Sequence, residues 1–296
     1  MLRISVCTLV VAIGLIAASD SQASLYGLDA TTKLNTFEGP DFGGLPSTEN
    51  VATSQNGATT LQSQIDFDSS GSSIDNNREF HVFSESSLNE GSIRLFASGV
   101  GGPAGDVPSN VLEARGVLFD EVTFFNDAGV ESINVSVSLD GVYTVAGAPL
   151  QLAFTDLKLV VLPENTISDF ASNIFIPFDE QPDAVVNEAV QLASSNDPLP
   201  IVLSGLVPLE EGQTSYQIGV FASILIFSND ASTVFEADFL STASLSFDLP
   251  EDVAFTSASG VLLTGDGGTA VPAPAALPAG IVLLGVIGMR RKRLAA

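Results

Sequence analysis

The chain is poor in the residues that usually carry chemistry. Its one cysteine, Cys7, lies in an apolar stretch at the extreme N-terminus, so the rest has no disulfide, no thiolate nucleophile and no Cys-ligated metal. Tryptophan is absent and tyrosine occurs only at positions 26, 143 and 216, which leaves few of the aromatic platforms that sugar binding favours. His81 is the sole histidine. A Ser-His-Asp triad would have to use it, yet no Gly-x-Ser-x-Gly elbow is present. Basic residues are scarce as well, ten Lys and Arg against 35 Asp and Glu.

Long apolar runs are also lacking, but two short ones bracket the chain. At the front, Arg3 precedes the apolar stretch from Val6 to Ala18, and Ser21-Gln22-Ala23 follows. This order is that of a secretory signal peptide spanning residues 1–23, with cleavage expected after Ala23. Cys7 stands away from that cleavage point, which disfavours a lipoprotein. At the back, Pro272, Pro274 and Pro278 hold the chain extended until a helix can start near Leu277. From Leu277 to Met289 such a helix covers about 20 Å, short of the roughly 30 Å of a bilayer's hydrocarbon. Insertion therefore leans on the preceding apolar residues, on tilt or thinning, and on Arg290, Arg291, Lys292 and Arg293 at the cytoplasmic headgroups. Arg3 and that basic cluster obey the same positive-inside rule, so both ends are expected in the cytoplasm and the middle outside.

The three-part tail resembles the PEP-CTERM class of bacterial sorting signals. Ala273 stands where the namesake motif has Glu, and Val271-Pro272-Ala273-Pro274-Ala275 instead resembles the Val-Pro-Leu-Pro-Ala variant. The resemblance implies processing by a membrane-embedded exosortase and an exopolysaccharide-associated surface protein of a Gram-negative bacterium. It covers residues 271–296. Upstream, residues 242–250 and 255–260 resemble the strand, Pro turn and Ser-Gly stretch that often precede such anchors.

The exported body is expected over residues 24–269, followed by the sorting signal over 270–296. Removing the two ends takes away Asp20 and five of the ten basic residues, leaving 34 acidic and 5 basic side chains, a net charge of −29. Such a body repels phosphate backbones, which excludes nucleic acid as a partner. Its apolar residues alternate with polar ones at period two. Ile133, Val135, Val137 and Leu139 alternate with Asn134, Ser136 and Ser138, and Asp140-Gly141 then signals a turn. Leu245, Phe247 and Leu249 repeat the pattern. Further strands are expected at 61–68, 79–84, 92–97, 116–125, 150–162, 173–178, 215–227 and 232–240. In 150–162 the apolar phase drifts from Leu152 and Phe154 to Leu157, Leu159 and Val161, which predicts a bulge or bend. Residues 183–193 read as a short helix or another strand, and the Gly- and Pro-rich stretch 99–110 as a loop that could separate two halves. The expected fold class is all-β, an antiparallel β-sandwich of jelly-roll type.

One acidic stretch reads as a cation site. Asp66 and Asp68 place oxygens at alternate positions before Gly71, and Asp75 follows, as in calcium loops, although Asn77 stands where the last bidentate Glu would be. The same acids also fit the polar face of a strand. The leading expectation is a non-enzymatic protein of the cell surface or extracellular matrix that needs no cofactor. A calcium-dependent glycan-binding or adhesive module is the alternative. A polysaccharide hydrolase, which needs only two suitably spaced carboxylates, comes third.

Overall fold

A computed structural model describes residues 25–36, 48–68, 79–100, 110–127, 129–146, 152–167, 183–192, 200–228 and 234–264. The expected signal peptide, the strand at 173–178, Asp75 and the whole sorting signal lie outside the described residues. Among the described residues, thirteen strands account for nearly all of the regular structure and there is no helix. No helix there is long and apolar enough to cross a membrane.

The strands form two antiparallel sheets. The first runs in the order β2 (Thr48–Gln55), β1 (Tyr26–Thr36), β6 (Asn110–Asn126), β11 (Gly212–Ser228), β8 (Leu152–Pro163), β9 (Val186–Leu192). The short β13 (Val253–Ser257) pairs with residues 122–126 of β6, just beyond the stretch that β1 occupies. The second sheet runs β10 (Ile201–Pro208), β7 (Ser132–Ala146), β12 (Val234–Asp248), β5 (Ser92–Val100), β4 (Glu79–Ser87), β3 (Thr60–Asp68). Strands from before and after residues 101–109 stand side by side in both sheets, so that loop does not divide the body into two halves.

The period-two pattern works here because each sheet turns one set of alternate residues toward the other sheet. Leu112, Ala114, Leu118, Val122 and Phe124 of β6 meet Phe80, Val82, Ile93 and Leu95 of β4 and β5 in one continuous core. Each large side chain buried there contributes about 1.5–3 kcal/mol. Gly116 allows close approach, because a Cβ there would lie 2.3 Å from Ile93 of the facing sheet. Polar bonds also tie the sheets. Ser84 Oγ donates to the Arg115 carbonyl at 2.5 Å, Ser86 Oγ to the Asp29 carbonyl at 2.7 Å, and the Thr32 and Ser63 hydroxyls pair at 2.8 Å. At one end Phe124, Phe247 and Phe255 stack edge to face or tilted, with centroids 5.1 to 6.2 Å apart.

Several expectations are corrected. Asp140-Gly141 is not a turn, for β7 continues through it to Ala146. The glycine is there because the Phe239 ring lies over it, and a Cβ would come within 2.3 Å of that ring. The two strands expected around 232–240 and 245–249 are one strand, β12, whose register shifts between Phe239 and Ala243. The bulge expected in 150–162 is absent: β8 pairs with β11 in unbroken register from Leu152 to Pro163. Its apolar phase changes because β8 is covered on both faces. Leu157, Leu159 and Val161 enter the main core, while Val160 and Leu162 join Leu25, Val117, Phe119 and Ile167 in a second cluster on the outer face. Residues 186–192 are a strand, which settles the alternative left open by the sequence.

Candidate functional site

The outer face of the second sheet carries a hollow of about 560 Å³ over strands β3, β4 and β5. Register places its side chains in rows. Gln64, Phe83 and Phe96 are neighbours in one row, Asp66, His81 and Ser98 in the next, and Gln62, Glu85 and Arg94 in a third. Phe83 and Phe96 are half-buried, unlike Phe80 and Val82, which point into the core. They form an apolar floor between charged rims.

At one rim the His81 ring spans two carboxylates, with Nδ1 2.8 Å from Asp66 and Nε2 3.0 Å from Glu79. Only the imidazolium can donate to both, since a neutral ring has one N–H. Hydrogen bonding to Asp66 first, and then to Glu79, raises the His81 pKa above its ordinary value. At the other rim Arg94 donates to Glu85 at 2.8 Å and to Glu90 at 2.6 Å, and Gln62 also donates to Glu85. A second hollow of about 310 Å³ adjoins the first, shares His81 and is bordered by Glu79 and Glu236. Together they make a trough running across β4, β5 and β12.

Two further carboxylates are buried away from the trough. On the outer face of the first sheet, Asp29 is 1% exposed and accepts bonds from the Thr31 hydroxyl at 3.0 Å and the Thr53 hydroxyl at 2.9 Å. Arg115 stands 3.5 Å from it and also donates to Thr31. Asp120 is fully buried on the inner face of β6. It accepts bonds from the amide and hydroxyl of Ser259, at 3.2 and 2.5 Å. Burial pushes its pKa up to about 7, and the hydroxyl and amide donors only partly offset that. The segment after Ser259 then crosses to the second sheet, where the Leu263 amide bonds the Leu88 carbonyl at 3.0 Å. Asp120 thus anchors the strap on which the described chain ends at Thr264.

Compared with known proteins, the chain matches no family model and no curated protein. Its site is therefore read from its own residues.

Of the acids singled out as a cation site, Asp66 lies on β3 and faces the trough, giving one oxygen to His81 and the other to Gln64 at 2.7 Å. Asp68 ends the same strand, and Asp75 is outside the described residues. No group of three or more His, Cys, Asp or Glu placed to hold a metal ion occurs among the described residues. Phe83 and Phe96 escaped notice because a phenylalanine in a strand reads as core. Parity was the missed signal: Phe80 and Phe83 lie three apart, so they cannot share a face of one strand.

Proposed function

We propose that this protein is a non-enzymatic component of the cell surface or extracellular matrix, exported and held by its PEP-CTERM-like tail, with a jelly-roll-like sandwich body that adheres to matrix polysaccharide. The observation that carries the binding role is the trough, with its paired phenylalanine floor and hydrogen-bonding rims. A flat apolar floor suits the C–H face of a sugar ring, and the amide, carboxylate and guanidinium groups around it suit hydroxyls. Hydrolysis is less well supported. Three of the trough's carboxylates are engaged by cations, Asp66 and Glu79 by His81 and Glu85 by Arg94, rather than poised as a free acid and base.

Anchoring and adhesion are tested separately. Deleting residues 271–296 in the cells that make the protein is expected to move it from the surface fraction to the medium; unchanged retention would count against the anchor. The protein should co-sediment with matrix polysaccharide without liberating reducing ends. Release of reducing sugars would make it an enzyme.

A further inference from the structure

We infer that the trough selects a polysaccharide carrying free amino groups, binding a protonated amino-sugar unit over Phe83 and Phe96. This rests on the trough being the adhesive surface and adds the ligand's class. The charge around the floor points to it. The row beside the phenylalanines runs Asp66, His81, Ser98, Glu236, and the floor's own row ends in Asp238 on β12. Carboxylates thus stand on both flanks of an aromatic floor, about three strand spacings or roughly 14 Å apart. Glu79 and Glu85 add to them, against Arg94 and His81 among the described residues. An aromatic face rimmed by carboxylates favours a cation with an apolar body, whereas a uronic acid would meet like charge on a body of net −29.

A cationic peptide fits less well. Strands β4 and β5 are paired on both sides, so a peptide laid over the floor finds neither an open strand edge nor free backbone groups to bond. A pyranose ring needs neither. Its C–H face covers a phenyl ring while its ammonium reaches a flanking carboxylate, and the adjoining hollow beside Glu236 takes the next unit.

The test is calorimetry on the full-length chain in mild detergent with four probes: a glucosamine hexamer, an N-acetylglucosamine hexamer, cellohexaose and a lysine hexapeptide. The glucosamine hexamer should bind at least about tenfold more tightly than the other three, a margin within reach of one ammonium bonded to a carboxylate beside the floor. Phe96→Leu, which keeps apolar bulk but removes the ring, and Glu236→Gln should each weaken it several-fold, while Ser136→Ala on the same face should not. Equal binding of the acetylated hexamer or cellohexaose would overturn the amino-sugar inference and leave the adhesive reading standing. Equal binding of the lysine peptide, indifferent to Phe96→Leu, would reduce the effect to general acidity and overturn it. No binding of any saccharide would remove both readings of the trough.

Discussion

On the outer face of the first sheet, Asp29 and Arg115 lie on neighbouring strands with side chains only 1% and 15% exposed, and threonine hydroxyls fill the remaining acceptor sites. On the outer face of the second, Asp66 and His81 also lie on neighbouring strands, but with side chains 57% and 43% exposed. The difference is what lies above each sheet. Over the first, Leu25, Ile167 and Ala184 close on Val117 and Phe119. Over the second the side chains stand exposed, Val202 and Leu206 among them, Ser136 and Ser246 share a hydrogen bond at 2.8 Å, and the trough is open. An acid beside a base therefore does structural work where it is covered and is available to a ligand where it is not.

The largest effect that would break this contrast is in stability. Asp29→Ala leaves Arg115 and two threonine hydroxyls short of a buried partner and should cost about 3–5 kcal/mol, read from urea unfolding. Asp66→Ala should cost less than about 1 kcal/mol. If the two substitutions cost the same, the faces are not different in kind.

Asp120 sharpens the contrast from inside the core, where a carboxylate has no cation to hold its charge. Its pKa of about 7 stands above the ordinary 3.8, so between those values the folded chain binds more protons than the unfolded one. Its contribution is complete below about pH 4, declines as pH rises toward 7 and is lost above that. The loss is at most about 4 kcal/mol. Asp120→Asn should remove this slope, so the difference between variant and wild-type stability should grow from pH 4 to pH 7. A constant difference would refute the buried charge. The Ser259 strap, tied to Asp120, should show the same pH dependence in amide exchange.

The smallest effect is the most direct to see. As the only histidine, His81 gives a single set of imidazole NMR signals, and its titration should lie above the ordinary 6.5. Asp66→Asn should move it down more than Glu79→Gln does, because the Asp66 bond contributes most. The raised pKa means that the rim's contribution to stability is present at low pH and fades as pH passes through the folded-state value.

Much of this was legible in the residues. Alternation located β4, β5 and β7, because an antiparallel strand with one covered face must repeat every two positions. It missed β1, whose inner face includes Thr32 and whose outer face carries Asp29, Thr31 and Lys33. Leu28, Ala30 and Leu34 keep the two-residue period there, but Thr32 interrupts it and the buried polar side chains of the outer face disguise the strand. It also misplaced the irregularity in β8, where a second covered face imitates a phase slip.

The order of polar and apolar residues by itself determined that the described chain is built of strands and that their apolar faces seek one another, since side-chain direction follows from the backbone's two-residue repeat. Which strands became neighbours, and so which acids met a base, a hydroxyl or a phenyl ring, was decided only by the tertiary structure. Phe83 lies beside Phe96, and Asp120 beside Ser259, through contacts between segments distant along the chain, and the burial that sets their chemistry does not exist until both sheets have closed.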